Sequence, residues 1–344
     1  MDKRKVIIDT DPGIDDAAAL MTALSDDSLE ILGFTTVAGN KGLDMTTTNA
    51  VRVSTYFDGR VKIYPGADND YTSLKENKPP RENATGNIHG SNGMGGVDFP
   101  YDESLIQDQH AVDFILEQVK AHPGEIDLIT LGPLTNIALA VEKDLATMKQ
   151  VRSIMSMGGA AFDGNTNPVA EFNYWFDPVS VDIVYQALGE SVPITMVGLD
   201  VTRPSLLDMN DLEFIRQAGG ELGSMIREMF DDYVLNSFEN EGKIGIVIHD
   251  LVAVVGYLHP EILTEVYHTN LVIETKGEYT YGQTVIDFEE RTDRPKNVYI
   301  AMDIDLEAYK GHVISTLFGE DKYDQYLEML DWLLTKKDTQ NEAR

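Results

Sequence analysis

Apolar, β-branched runs alternate with Ala- and Leu-rich helical patterns from the first residues onward, and this predicts an α/β protein on a largely parallel, Rossmann-like sheet. Repeated βα units of this kind place helices on both faces of the sheet. Gly, Asn and Asp gather just after the apolar runs, where βα turns fall. Lys5–Asp11 reads as the first buried strand and Asp15–Ser25 as a helix. Leu29–Ala38 is again apolar, Met45–Phe57 is helical, and Val61–Tyr64 returns as a short strand. Val112–Ala121 reads as helix, Ile126–Leu131 as strand, Leu134–Val141 as helix, and Val151–Met157 as a strand ending in Gly158-Gly159. A helix near Val179–Leu188 and a strand at Pro193–Leu199 follow.

Two segments break the rhythm. Residues 71–100 hold Pro79-Pro80 and four Gly between 90 and 96, and read as a long loop, a candidate lid. After a helix beginning at His249, the runs Glu265–Glu274, Tyr279–Phe288 and Asn297–Asp303 read as consecutive strands with a Lys276-Gly277 turn. They imply an antiparallel β addition to the main sheet in the C-terminal part. Helices at Leu306–Leu317 and Tyr323–Leu334 close the pattern. There is no internal repeat or linker, so a single domain is expected over residues 1–337, with a polar tail at 338–344.

The chain has 344 residues and 42% hydrophobic content, enough for a sizeable core. Lys and Arg total 27 against 58 Asp and Glu, a formal charge of −31 that repels phosphate backbones and anionic lipid surfaces. Neither nucleic acid nor membrane is expected as a partner. Cysteine is absent, which excludes disulfides, thiolate metal sites and a cysteine nucleophile. Lys3-Arg4-Lys5 leads into three apolar residues before Asp9, too few for a signal-peptide core, and no later run approaches bilayer length. A cytoplasmic protein is expected.

Ligands of open α/β sheets sit at the carboxyl ends of the strands, and the unusual residues of this chain fall there. Asp9-Thr10-Asp11-Pro12-Gly13-Ile14-Asp15-Asp16 packs four carboxylates into eight positions after the first strand. Like charges so confined need solvent or a bound cation, so the turn reads as half of a metal site. Ala38-Gly39-Asn40, Leu131 to Asn136, Gly158-Gly159 with Asn165 and Ala170-Glu171-Phe172-Asn173, and Ile248-His249-Asp250 follow other apolar runs. Hard oxygen donors without cysteine select Ca²⁺ or Mg²⁺ over zinc, with Ca²⁺ favoured if carbonyls and a sugar diol complete the shell. The turn lacks EF-hand spacing but does resemble the D-x-D start of aspartate-nucleophile phosphatases. Against a phosphate stands the shortage of basic residues, only Lys41 and Lys243 lying near these segments. A neutral sugar-bearing substrate fits better.

Taken together, DTDPGIDD, VAGN at 37–40, HGSNGMGG at 89–96, LGPLTNIALA at 131–140, MGGA with AEFN, and the His249-Asp250 pair resemble the nucleoside hydrolase family, in family order over most of residues 5–255. The resemblance implies a Ca²⁺-dependent, homodimeric or homotetrameric enzyme that cleaves ribonucleosides to ribose and nucleobase. On this sequence it implies Asp11, Asp16, Asp250 and the Leu131 carbonyl as metal ligands. Asp11 would also be the base that activates a calcium-bound water. Asp15, Asn40, Asn165, Glu171 and Asn173 would hold the ribose hydroxyls, and Met157 and Phe172 would pack around the sugar. His249 implies the subgroup in which this position protonates the leaving base, not the purine-preferring subgroup with Trp there. His89 in the Gly-rich segment is placed against the base, and Asp9 behind the turn in support.

Residues 68–85 are more polar, and Tyr174-Trp175-Phe176 more aromatic, than the family pattern leads one to expect. Trp332 reads as core or interface. His110, His122, His259, His268 and His312 have no constellation around them in the sequence and read as surface or capping residues. Two other readings stay open: a Mg²⁺-dependent phosphatase with Asp9 or Asp11 as nucleophile, and a non-catalytic nucleoside or ribose sensor.

Overall fold

The computed structural model describes residues 3–80 and 92–341. Its first six strands are β1 (Arg4–Thr10), β2 (Leu29–Thr36), β3 (Ile63–Pro65), β4 (Ile126–Thr130), β5 (Ser153–Met157) and β6 (Ile194–Val197). β7 (Leu207–Asp208) and β8 (Gly245–Ile246) pair as a small antiparallel ribbon. β9 (Glu265–Thr269), β10 (Leu271–Ile273), β11 (Thr284–Ile286) and β12 (Val298–Asp303) complete the set. One eight-stranded sheet runs β3-β2-β1-β4-β5-β6-β12-β9, parallel throughout except for the last pair.

The pleat of β1 sends successive side chains to opposite faces. Val6 and Ile8 join the layer of helices Ile14–Ser25, Leu43–Tyr56 and His249–Leu258. Ile7 joins the other layer, with helices Ala111–Ala121, Thr135–Lys143 and Pro178–Leu188. All three are fully buried, as a central parallel strand requires. The chain winds outward through β1, β2 and β3, then returns so that β4 pairs with the free side of β1. The order reverses between β1 and β4, and a crevice opens there beyond the carboxyl ends of the strands. Buried Asp127 on β4 accepts hydrogen bonds from the Arg152 guanidinium, the Ser153 hydroxyl and the Tyr257 hydroxyl. This ties the far end of helix His249–Leu258 to the sheet and aims its N-terminus at the crevice.

The C-terminal β addition is smaller than the sequence suggests. The run 265–274 breaks at Asn270, whose amide donates to the Pro295 carbonyl, while Asn297 takes both backbone groups of Leu271. β10 therefore turns away and pairs only with β11, a strand of three residues, and β12 lies parallel to β6. Only β9 is added antiparallel to the main sheet. In the 71–100 segment, Tyr71–Lys75 forms a helix capped by Asp70. Met94, Val97 and Phe99 are buried in the core, so the end of this segment is anchored.

Residues 206–244, which carry no assignment in the sequence reading, hold helices Met209–Ala218, Gly220–Met229 and Asp231–Glu241. The final helix is longer than expected, Glu320–Asn341, and runs through 338–341. Trp332 on it is 58% exposed, which excludes a core position. Among the described residues, no helix is long and apolar enough to cross a membrane.

Candidate active site

The turn after β1 is organised by its own backbone. Asp16, in the first turn of helix Ile14–Ser25, accepts hydrogen bonds from the Thr10 hydroxyl (2.5 Å), the Asp11 N–H (3.2 Å) and the Gly13 N–H (3.0 Å). A carboxylate there also meets the positive end of the helix dipole. Asn40, at the end of β2, donates its N–H to Asp11 Oδ2 at 2.6 Å and its amide to Asp16 Oδ2 at 3.1 Å. Asp9 lies behind them, its Oδ1 taking hydrogen bonds from Thr35 and Asn136. That makes it a brace between β1, β2 and the helix after β4.

Asp15, Asp16 and Asp250 each place a carboxylate oxygen within 4.8 Å of the other two. Asp250 stands in the first turn of helix His249–Leu258 and is almost wholly buried. Burial, then the charge of Asp16, drives the carboxyls of Asp11 and Asp250 well above the usual carboxylate range. Burial also raises Asp15, and it lifts Glu171 to about 7. Four acids raised together have one evident remedy, a cation among them.

The residues fit such an ion. Asp11 Oδ1 is buried without a hydrogen-bond partner. Glycines make the room around this carboxylate: a Cβ on Gly132 would stand 2.4 Å from Oδ1, and one on Gly39 would stand 2.0 Å from Oδ2. The donor set is oxygen throughout, as a hard divalent cation prefers. The Leu131 carbonyl follows β4 directly and accepts the Asn173 amide at 2.8 Å, leaving its second lone pair. Gly39→Ala is expected to force Asp11 aside, cost about 1–3 kcal/mol of stability and cut turnover more than tenfold. Wild-type kinetics in that variant would show that the Asp11–Asn40 contact is dispensable.

Above these acids opens a cavity of about 600 Å³. Asp15, Asn40, Leu131, Asp250 and His249 line one side, and Met157, Glu171, Phe172, Asn173 and the exposed Asn165 line another. Asp11 and Asp16 lie beneath this floor, both 0% exposed. Glu171 accepts N–H bonds from Gly159, Asn173 and Tyr174, which fixes the chain that presents Phe172 and Asn173. His249 is half-buried, with Nδ1 2.7 Å from the Thr202 hydroxyl. His89 lies outside the described residues. Trp175 is half-buried and is not among the residues that line the cavity.

One wall of the cavity comes from outside the sequence motifs. Tyr233, Ser237 and Lys243, from the helical segment before β8, line the cavity, as does Arg203. The cavity is thus less free of basic groups than the motifs suggest. Arg203, however, donates to the carbonyls of Asp163 (2.8 Å) and Gly164 (2.6 Å), and so holds the loop that carries Asn165. The signal that could have found this segment is Asp208-x-x-Asp211, a reciprocal helix cap ahead of Leu212 and Ile215.

Fold and cavity agree with comparisons that place the chain among hydrolases acting on N-glycosyl compounds. Residues 6–311 match the family described as inosine-uridine preferring nucleoside hydrolase, and the chain belongs to that family. A pyrimidine-specific ribonucleoside hydrolase of Shigella sonnei is 32% identical over 320 residues, covering 93% of this chain and 98% of the relative. The solved structure of a purine-preferring ribonucleoside hydrolase from Gardnerella vaginalis superposes with a TM-score of 0.84 at 30% identity, over 92% of this chain and 98% of that one. A plant nucleoside hydrolase gives 0.83 at 28%, over 92% and 99%. The substrate class is the ribonucleoside.

Proposed function

We propose that this chain hydrolyses the N-glycosidic bond of ribonucleosides to ribose and free nucleobase, with calcium held by Asp11, Asp16, Asp250 and the Leu131 carbonyl. The reading is carried by one observation: in a chain of this family, buried Asp11, Asp16 and Asp250 and half-buried Asp15 meet at the crevice beside β1 and β4. When bound, the ion supplies positive charge that offsets these acids, and Lewis acidity toward water and the ribose diol.

Asp11 also serves as the base that takes the proton of the attacking water. Cleavage builds positive charge on the ribose ring. Asp15, Asn40, Asn165, Glu171 and Asn173 surround that ring with oxygen acceptors, and Met157 and Phe172 pack against it. Unprotonated, the base would be a poor leaving anion; His249, steadied through Nδ1 by Thr202, donates a proton from Nε2 so that it leaves neutral.

Two measurements test this. A nucleoside panel led by uridine, cytidine and inosine is expected to release reducing sugar, with uridine and cytidine placed first because the Shigella sonnei relative is named for pyrimidines. Failure on the whole panel by calcium-loaded protein would end the reading. His249→Ala is expected to slow natural nucleosides by roughly 10²–10⁴, while a nitrophenyl riboside, which needs no protonation, is nearly unaffected. Equal slowing of both would remove His249 as the acid.

A further inference from the structure

Helix Leu199–Thr202 follows β6 and reaches two parts of the site at once. Thr202 meets His249 Nδ1, and Asp200 Oδ2 accepts the Ala161 N–H at 2.6 Å. Arg203, which ends the helix, donates from Nη1 to the Asp163 carbonyl and from Nη2 to the Gly164 carbonyl. The loop it grips is a tight one. The Gly164 N–H donates to the Pro168 carbonyl and the Asn165 N–H to the Ala170 carbonyl, and a Cβ on Gly164 would stand 2.2 Å from the Asn167 carbonyl oxygen. Arg203, Gly164, Asn165 and Thr166 all line the cavity.

The shape of a ribonucleoside says which part of it meets this wall. In the β-anomer the 2′- and 3′-hydroxyls occupy one face of the ribose ring, and the base and C5′ occupy the other. With the diol on the ion at the floor, base and C5′ rise side by side toward the mouth. His249 takes the base, and beside it stand Arg203 and its loop, one residue along from the Thr202 that steadies His249. We propose that Arg203 sets specificity for the 5′ end of the ribonucleoside, holding the 163–165 loop against C5′ and donating a hydrogen bond to the 5′-oxygen.

The chemistry of the residue fits that task. A guanidinium is always charged and carries five N–H donors in a planar fork, so two groups can grip carbonyls while others face the cavity. Held by the loop before substrate arrives, the side chain loses little rotamer freedom on binding. Asp200 ties the other end of the loop to the same short helix, so a single element sets Arg203 and Asn165 relative to each other. Asp15 and Glu171 line the same cavity, and their charge favours a neutral 5′-hydroxyl over a 5′-phosphate at this oxygen. The proposal rests on the hydrolytic reading and adds to it a residue that reads the third hydroxyl of the sugar.

The test compares the best-cleaved nucleoside of the panel with its 5′-deoxy analogue, using the calcium-loaded full chain. Wild type is expected to favour the parent nucleoside in kcat/KM by roughly tenfold or more, the worth of a hydrogen bond to a charged group. Arg203→Met should lose that factor on the parent, chiefly in KM, and leave the 5′-deoxy analogue nearly unchanged. Arg203→Lys, which keeps the charge without the fork, should recover part of it. A nitrophenyl riboside keeps the 5′-hydroxyl, so Arg203→Met should slow it as much as the parent, in contrast to His249→Ala. Equal losses on parent and 5′-deoxy analogue would reduce Arg203 to a brace of the fold and overturn the proposal. So would a wild type that cleaves the two alike, a result that needs no variant to fold. Failure on the whole panel would instead end the hydrolytic reading, and the proposal with it.

Discussion

Asp11→Asn is expected to lower kcat/KM for uridine by roughly 10²–10⁴, the range a general base contributes, with further loss if calcium no longer binds. The substitution keeps the shape of a side chain that is wholly buried and packed against Gly39 and Gly132. It removes one member of a like-charged group, so in chelator the variant should melt no lower than wild type, and higher if repulsion dominates. Measuring kcat/KM and melting temperature together distinguishes a chemical role from damage to the fold. Activity within tenfold of wild type, with calcium bound, would take both the base and the ligand role from Asp11.

The parts of the protein legible in its sequence are those where local pattern and chemistry coincide. β1 and its turn declare themselves because an apolar run ends in Asp, Pro and Gly, and the strand-order reversal between β1 and β4 then brings Asp11, Leu131 and Asp250 to one place. Helices Met209–Ala218 and Gly220–Met229 were hidden because each buries only a narrow face, Leu212 and Ile215 in one and Ile226 and Met229 in the other, amid polar residues. Trp332 looked apolar enough for the core, yet its helix packs through Tyr326, whose hydroxyl reaches Asp211. Long-range partnerships leave no local trace at all. Thr202 with His249, and His259 with His312, are joined only by the fold.

Calcium removal is the other large effect expected, and its pH dependence has a definite sign. Chelation should abolish hydrolysis reversibly, with activity restored by added calcium. At pH 8 it should also lower the melting temperature by on the order of 5 °C, the shift that follows from ligand present at about a hundred times its Kd. Without the ion, Glu171 is held at about 7 against an ordinary value of 4.5, chiefly by burial. A carboxyl raised on folding binds its proton more tightly in the native state, so its contribution to stability is complete below about pH 4.5 and is lost as pH rises through about 7. The raised carboxyls of Asp11 and Asp250 act in the same direction. Calcium needs Asp11 and Asp250 ionised, so its own stabilisation grows as pH rises. The gap between calcium-loaded and chelated melting temperatures should therefore widen steadily from pH 5 to pH 8. A gap independent of pH would mean that the ion does not bind among these carboxylates, whatever it does for activity.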